Sequence, residues 1–282
     1  MIEAEWEWDP IVVAPLALSL ILYALGLARL WRRAGWGRGV TYIHAVLFAG
    51  GWLTLFGALV SPLHEYGEHL FLAHMVEHEL LMAVAAPLLA LSRPLGTFLH
   101  AFARPWRLVL IGWSQFGPVK AAWQWLTRPL VATILHGLAI WIWHAPTLLD
   151  ATLESELAHR LQHLSFLVTA LFFWWAIVRL PVKEYGLGAA HVFVTMVHTG
   201  LLGALLTLAP RICYARQTQD APLFGWTPLQ DQQLAGLFMW VPGGAIYLAA
   251  GLWLLARWLN GPARAASLPA PWSLHDGLAA KQ

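Results

Sequence analysis

The stretch HLFLAHMVEHELLMAVAAPLLALS, running from His69 to Ser92, is long and apolar enough to cross a bilayer, yet its first half carries His69, His74, Glu77, His78 and Glu79. Ionisable side chains within a spanning helix are costly, and by default they mark a functional site. His74 and His78 stand four apart and so project from one helix face, and His159 and His163 repeat that spacing. An imidazole in hydrocarbon needs a partner or a cavity. Two pairs at similar depth on two helices are therefore expected to face each other.

Imidazole and thioether are ligands suited to copper, and thioether favours the reduced ion. Met75 beside the first pair and Met82 one turn deeper are candidate soft ligands, which makes Cu(I) the expected cargo. Zinc is a weaker expectation, because neither cysteine nor an obvious catalytic water site accompanies the histidines. Glu77 and Glu79 are expected to orient the imidazoles or to form part of a cation's access route. A single histidine pair could equally be polar glue between helices. Two pairs, with His136 and His198 at matching depth, favour a site.

The 282 residues are 59% hydrophobic and only 11% charged, too apolar for a soluble domain, whose charged share is near a quarter. A polytopic, all-α membrane protein is expected. The net charge of +2 is small, and the basic residues are spread over short loops, which leaves nucleic-acid binding without support. The single cysteine, Cys213, excludes an intrachain disulfide and a cysteine-based metal cluster. The acidic start MIEAEWEWDP lacks a basic n-region, so the first apolar run reads as a retained span rather than a cleaved signal.

Seven apolar runs have the roughly 20 residues that a spanning helix needs: about 11–30, 40–60, 70–92, 129–148, 157–179, 189–209 and 233–257. The piece from Trp106 to Pro118 is too short to span and reads as interfacial. With the N-terminus outside, 14 of the 17 Lys and Arg fall on the cytoplasmic side, and only Arg160, Arg211 and Arg216 lie opposite. That asymmetry predicts seven spans with the N-terminus outside and the C-terminus inside. Residues 1–260 would form one transmembrane domain and 261–282 a cytoplasmic tail.

In that topology the histidines gather toward the outer side. At about 1.5 Å per residue, His74 and His78 lie about 7 to 14 Å below the outer end of their span, and His159 and His163 about 3 to 9 Å down theirs. By the same rise His136 lies about 12 Å deep and His198 about 16 Å. His64, His69 and His144 are expected at the outer rim.

The segments HMVEHELLMAVAAPLLAL, WIWHAPTLLDATLESELAHRLQHLSF and LQDQQLAGLFMWVPGG resemble the multi-span CtaG family of cytochrome c oxidase assembly factors, over about Ser61 to Gly251. The resemblance implies a bacterial plasma-membrane protein, embedded in the lipid bilayer, that is needed to make active haem-copper oxidase. It further implies delivery of copper to the oxidase catalytic subunit, whose copper is itself buried toward the outer face, and points to an extracytoplasmic copper donor. The family's histidine motifs fall on His74, His78, His144, His159, His163 and His198, and its acidic-amide motif on Asp231 and Gln232. The chain departs from the pattern at Glu79, where methionine is expected, and at Glu77, where an amide is common; the first change removes a soft ligand.

Three functions compete: a copper-binding assembly factor, a haem-binding cytochrome with axial ligands from the two pairs, and a copper permease. The inner half offers few ionisable residues to continue a permeation path, Glu184 and His191 lying at the far end. An enzyme is the least expected reading, since no Ser/His/Asp set, phosphate loop or dinucleotide fingerprint stands out.

Overall fold

A computed structural model describes residues 5–261, and among these the structure is helical throughout, without a strand. The tail expected at 261–282 thus lies, from residue 262 on, outside the described residues. Helix starts follow local chemistry. Asp9 caps α1 (Pro10–Ala34) by accepting from the Ile11 N–H, with Pro10 opening the helix, and Gly35 at φ 94° ends it. Thr41 caps α2 (Tyr42–Leu59). Ser61 caps α3 (Pro62–His69), a two-turn helix that leads into α4 (Phe71–Ser92). Then come α5 (Pro94–His100), α6 (Arg104–Gln115), α7 (Gly117–Leu126), α8 (Pro129–Trp143) and α9 (Pro146–Glu154). The last three are α10 (Glu156–Val178), capped by Ser155, α11 (Tyr185–Thr207), and α12 (Pro228–Leu259), opened by a capping box between Thr227 and Gln230.

Six of these segments are long and apolar enough to cross a membrane: α1, α2, α4, α10, α12, and Val182–Thr207, which contains α11. The chain is a multi-pass membrane protein. A seventh crossing exists only if α7 and α8 count as one span, bent by 69° at their junction. The run expected at 129–148 is in fact a 15-residue helix that stops at Trp143, because Pro146 opens a separate helix. The piece around Trp106 is α6, which buries no side chain.

α4 is the most enclosed span, with 61% of its apolar window buried against 17% for α1. Phe166, Phe173 and Trp174 of α10 pack beside it, and Trp174 stacks on Tyr247 of α12 with ring centroids 5.6 Å apart. Small residues bring α11 and α12 together: a Cβ on Gly203 would lie 2.7 Å from the Gly236 carbonyl oxygen, so only glycine permits this approach. Both α4 and α12 contain a π-helical turn, Leu80–Ala85 and Met239–Gly243, a feature that often accompanies function. Within the first, the Met82 carbonyl is met by the Trp174 indole N–H at 2.9 Å.

Candidate metal centre

α4 starts with no cap from its own sequence, since Leu70 is extended and apolar. Its first N–H groups are satisfied from 160 residues away. The Asp231 carboxylate, in the first turn of α12, accepts from the backbone N–H of Phe71 and of Leu72, each at 2.9 Å. Gln232 organises the adjoining loop, its Oε1 accepting from the Cys213 N–H at 2.6 Å and the Tyr214 N–H at 3.2 Å. The Tyr214 hydroxyl then donates to the His144 carbonyl at 2.5 Å.

α3 folds back on α4, with Gly67 at the close approach. A Cβ there would approach Glu77 Oε2 to 3.2 Å and the His74 Cα to 3.4 Å. The fold-back delivers His64, whose Nδ1 lies 2.7 Å from Glu77 Oε1. On its other side, His64 Nε2 is 3.0 Å from a Glu7 carboxylate oxygen. Glu7 is tethered by its N–H to the Val60 carbonyl, and Arg160 of α10 pairs with Asp9 at 2.8 Å, so the segment before α1 lies across this end of the bundle.

The two histidine pairs face each other. Ring centroids are 4.2 Å apart for His74 and His78, 4.4 Å for His159 and His163, 5.2 Å for His78 and His163, and 5.6 Å for His74 and His159. His64 stacks on His159 at 5.1 Å, and His144 stands 6.4 Å from His78. One nitrogen from each of His74, His78 and His163 falls within 4.8 Å of the others. A second group of the same compactness joins His64, His159 and His163 to a carboxylate oxygen of Glu77. His163 belongs to both.

The nitrogens are free to bind. His74 Nε2, both nitrogens of His78, and the Nε2 atoms of His144, His159 and His163 are buried without a hydrogen-bond partner. A buried polar atom left unpaired is destabilising by about 1–3 kcal/mol, so a run of them in one place fits an ion-binding site. Glu77, fully buried, accepts from His64 and lies 3.6 Å from His163 Nδ1. Burial lowers the His64 pKa, but the hydrogen bond to Glu77 and the charges of Glu77, Glu7 and Glu68 outweigh it and raise it to about 9. The Glu77–His64–Glu7 chain thus carries a proton at neutral pH, and it links the buried centre to the surface.

Other residues expected in the site are placed elsewhere. His136 bonds through Nδ1 to the Thr169 hydroxyl at 3.1 Å and stacks on Phe173. His198 takes the Trp141 indole N–H at 3.3 Å. Met75 packs with Phe71, Leu149, Leu206, Tyr214 and Ala235, and Met82 lies in the main core with Phe166 and Trp174. Glu79 lies against Gly243 of α12. His69 pairs with Asp220 at 2.8 Å. Asp231 acts as the cap described above rather than at the histidines, and His144, expected at the rim, is buried beside His78.

Two participants carried little signal. Gln162 is fully buried with neither amide atom bonded, and its only mark in sequence is a second polar residue, after Arg160, between His159 and His163. Glu7 sits in the short acidic lead before α1, where no spacing marks it as a partner of His64.

These features define a class: a polytopic helical membrane protein with a histidine centre enclosed at one end of its bundle. The chain belongs to the cytochrome c oxidase caa3 assembly factor family (Caa3_CtaG), which it matches over residues 21–261, as its motifs led one to expect. It is also similar to uncharacterised proteins of Mycobacterium bovis and Mycobacterium tuberculosis, each 27% identical over 286 aligned positions and 93% of this chain. A protein of Mycobacterium leprae is 25% identical over 272 positions and 90% of the chain. The chain spans about two fifths of the length of these relatives, 40%, 40% and 39%. No solved structure matches it significantly.

Proposed function

We propose that the protein holds a copper ion at the histidine centre and passes it to the catalytic subunit of a haem-copper oxidase by ligand exchange, without bond-making chemistry of its own. The observation that carries this reading is the convergence of His74, His78 and His163, with their unpartnered nitrogens enclosed. Imidazole is a ligand suited to copper, and Glu77 supplies an oxygen that orients or shares the ion. The groups brought together are imidazoles and a carboxylate, while Met75 packs against Phe71 and Tyr214 and Met82 lies in the main core. The close packing of the rings supports a single ion over haem, because axial imidazoles must stand on opposite sides of a macrocycle.

In this reading the bent α7–α8 pair is the fourth of seven spans, the N-terminus is outside the bacterial plasma membrane and the C-terminus inside. The concentration of basic residues at the end opposite the centre supports that orientation. Copper would arrive from an extracytoplasmic donor past Glu7, Glu65 and Glu68, and leave laterally toward the oxidase.

The test is metal analysis and an absorption spectrum of the purified protein after loading with reduced copper and desalting. Stoichiometric copper without a Soret band is expected, falling to background in His78→Leu, which keeps α4 apolar enough to insert. Full copper in that variant, or stoichiometric haem in the wild type, overturns the proposal.

A further inference from the structure

At the end of the bundle away from the histidine centre, a cavity of about 490 Å³ opens between α1, α2, the α4–α5 junction and the end of α10. Its polar wall holds the cations Arg93 and Arg179 with His44 and His100 beside them, and no carboxylate lines it. Among the described residues neither Arg93 nor Arg179 is in an ion pair. Burial and the charge of Arg93 lower the Arg179 pKa from its ordinary value, as expected for two guanidinium groups held near each other. The Arg179 guanidinium lies 4.1 Å from the centre of the Trp175 ring, which fixes its plane at the wall.

Two further observations point to an anion as the ligand. Thr97, which lines the cavity, is 1% exposed, and its hydroxyl stands near Tyr23 without a hydrogen bond of good geometry. Arg93 is the one non-glycine residue with positive φ among those described, at φ 55° and ψ 50°. An arginine in the left-handed region is strained, where glycine would be relaxed. Backbone strain of this kind clusters at ligand sites, and Arg93 lines the cavity.

We propose that this cavity binds the phosphate of an anionic phospholipid headgroup, with Arg93 and Arg179 as its cationic clamp and Thr97 as a neutral donor. Arginine forks match phosphate oxygens. A lipid is favoured over free phosphate because the other wall is apolar, built from Leu30, Val40, Leu95 and Trp175, and because the cavity lies at the ends of spanning helices, where headgroups lie. Basic pockets between spanning helices are a known way to hold such headgroups.

Native mass spectrometry of the full chain, titrated separately with phosphatidylglycerol, phosphatidylcholine and inorganic phosphate, tests the assignment. Phosphatidylglycerol should bind the wild type in preference to phosphatidylcholine. At roughly fivefold per arginine, the Arg93→Asn/Arg179→Gln double variant should lose about twenty-five-fold in affinity. Asparagine tolerates the left-handed conformation, so this variant removes charge without adding strain. If the double variant fails to fold, Arg179→Gln alone should still lose about fivefold. Arg107→Gln on α6, outside the cavity, should bind as the wild type does. Unchanged affinity in a folded variant, or equal binding of phosphatidylcholine, overturns the proposal. Inorganic phosphate that binds as well as the lipid assigns the site to a free anion and overturns the lipid source.

Discussion

His163 is the residue on which both ligand groups depend, since it contributes to the His74/His78 set and to the set with His64, His159 and Glu77. Its replacement by leucine should therefore abolish copper binding, whereas His159→Leu should leave the three-imidazole group and most of the affinity. Competition with a chromophoric copper chelator measures both, and equal losses in the two variants would show that the groups are not separate. Glu77→Gln tests the carboxylate: losing an oriented charge beside the ligands typically weakens metal affinity by about 10–100-fold. His136→Leu, by contrast, removes a histidine bonded to Thr169 and should leave copper content unchanged.

At this scale the sequence was informative for a physical reason. Spacing of four fixes which side chains share a helix face, so the two histidine pairs could be read from the chain. Azimuth could not. Whether His136 or His198 turns toward the pairs depends on how α8 and α11 are rotated against α10, and no local pattern records that. Met75 shows the same limit, lying one residue from His74 yet packed on Phe71 and Tyr214. The short α3 lies outside the spanning pattern altogether, and with it His64 entered the ligand group rather than the rim.

Among the elements, α4 carries the most polar groups, and its start is fastened by α12. Asp231→Ala should leave two backbone N–H groups of α4 unsatisfied and destabilise the protein by about 1–2 kcal/mol, the range for loss of a helix cap. A thermal-unfolding series in detergent reads this directly, with Asp231→Asn expected between the two. An unchanged midpoint in Asp231→Ala would mean that water replaces the carboxylate at no loss. The boundaries of α4 were legible from its apolar run, but its π-helical turn was not, since an extra residue in a turn leaves no mark in hydropathy. The bend between α7 and α8 was equally hidden, although Pro129 stands at it.

For the whole molecule, orientation and electrostatics make the predictions. Cys213 is exposed, is the only cysteine, and lies on the same end as the histidine centre, which makes it a native reporter. A membrane-impermeant maleimide should label it from outside intact cells, while Gly35→Cys in a Cys213→Ser background should resist. The reverse pattern inverts the topology. Glu7, Glu65 and Glu68 at the mouth should draw cations in, so copper loading measured by stopped flow should slow as ionic strength rises. A rate indifferent to salt would leave these acids as solvated surface.

The cap on α4 also sets a clock. Asp231 is made 160 residues after Phe71, the residue it holds. At a synthesis rate of roughly 5–20 residues per second, about 10 to 30 s separate the two. For that interval α4 is in the membrane with its first turn open and its histidines unregistered. The contact that fixes the start of the helix carrying His74 and His78 therefore arrives only with the first turn of α12.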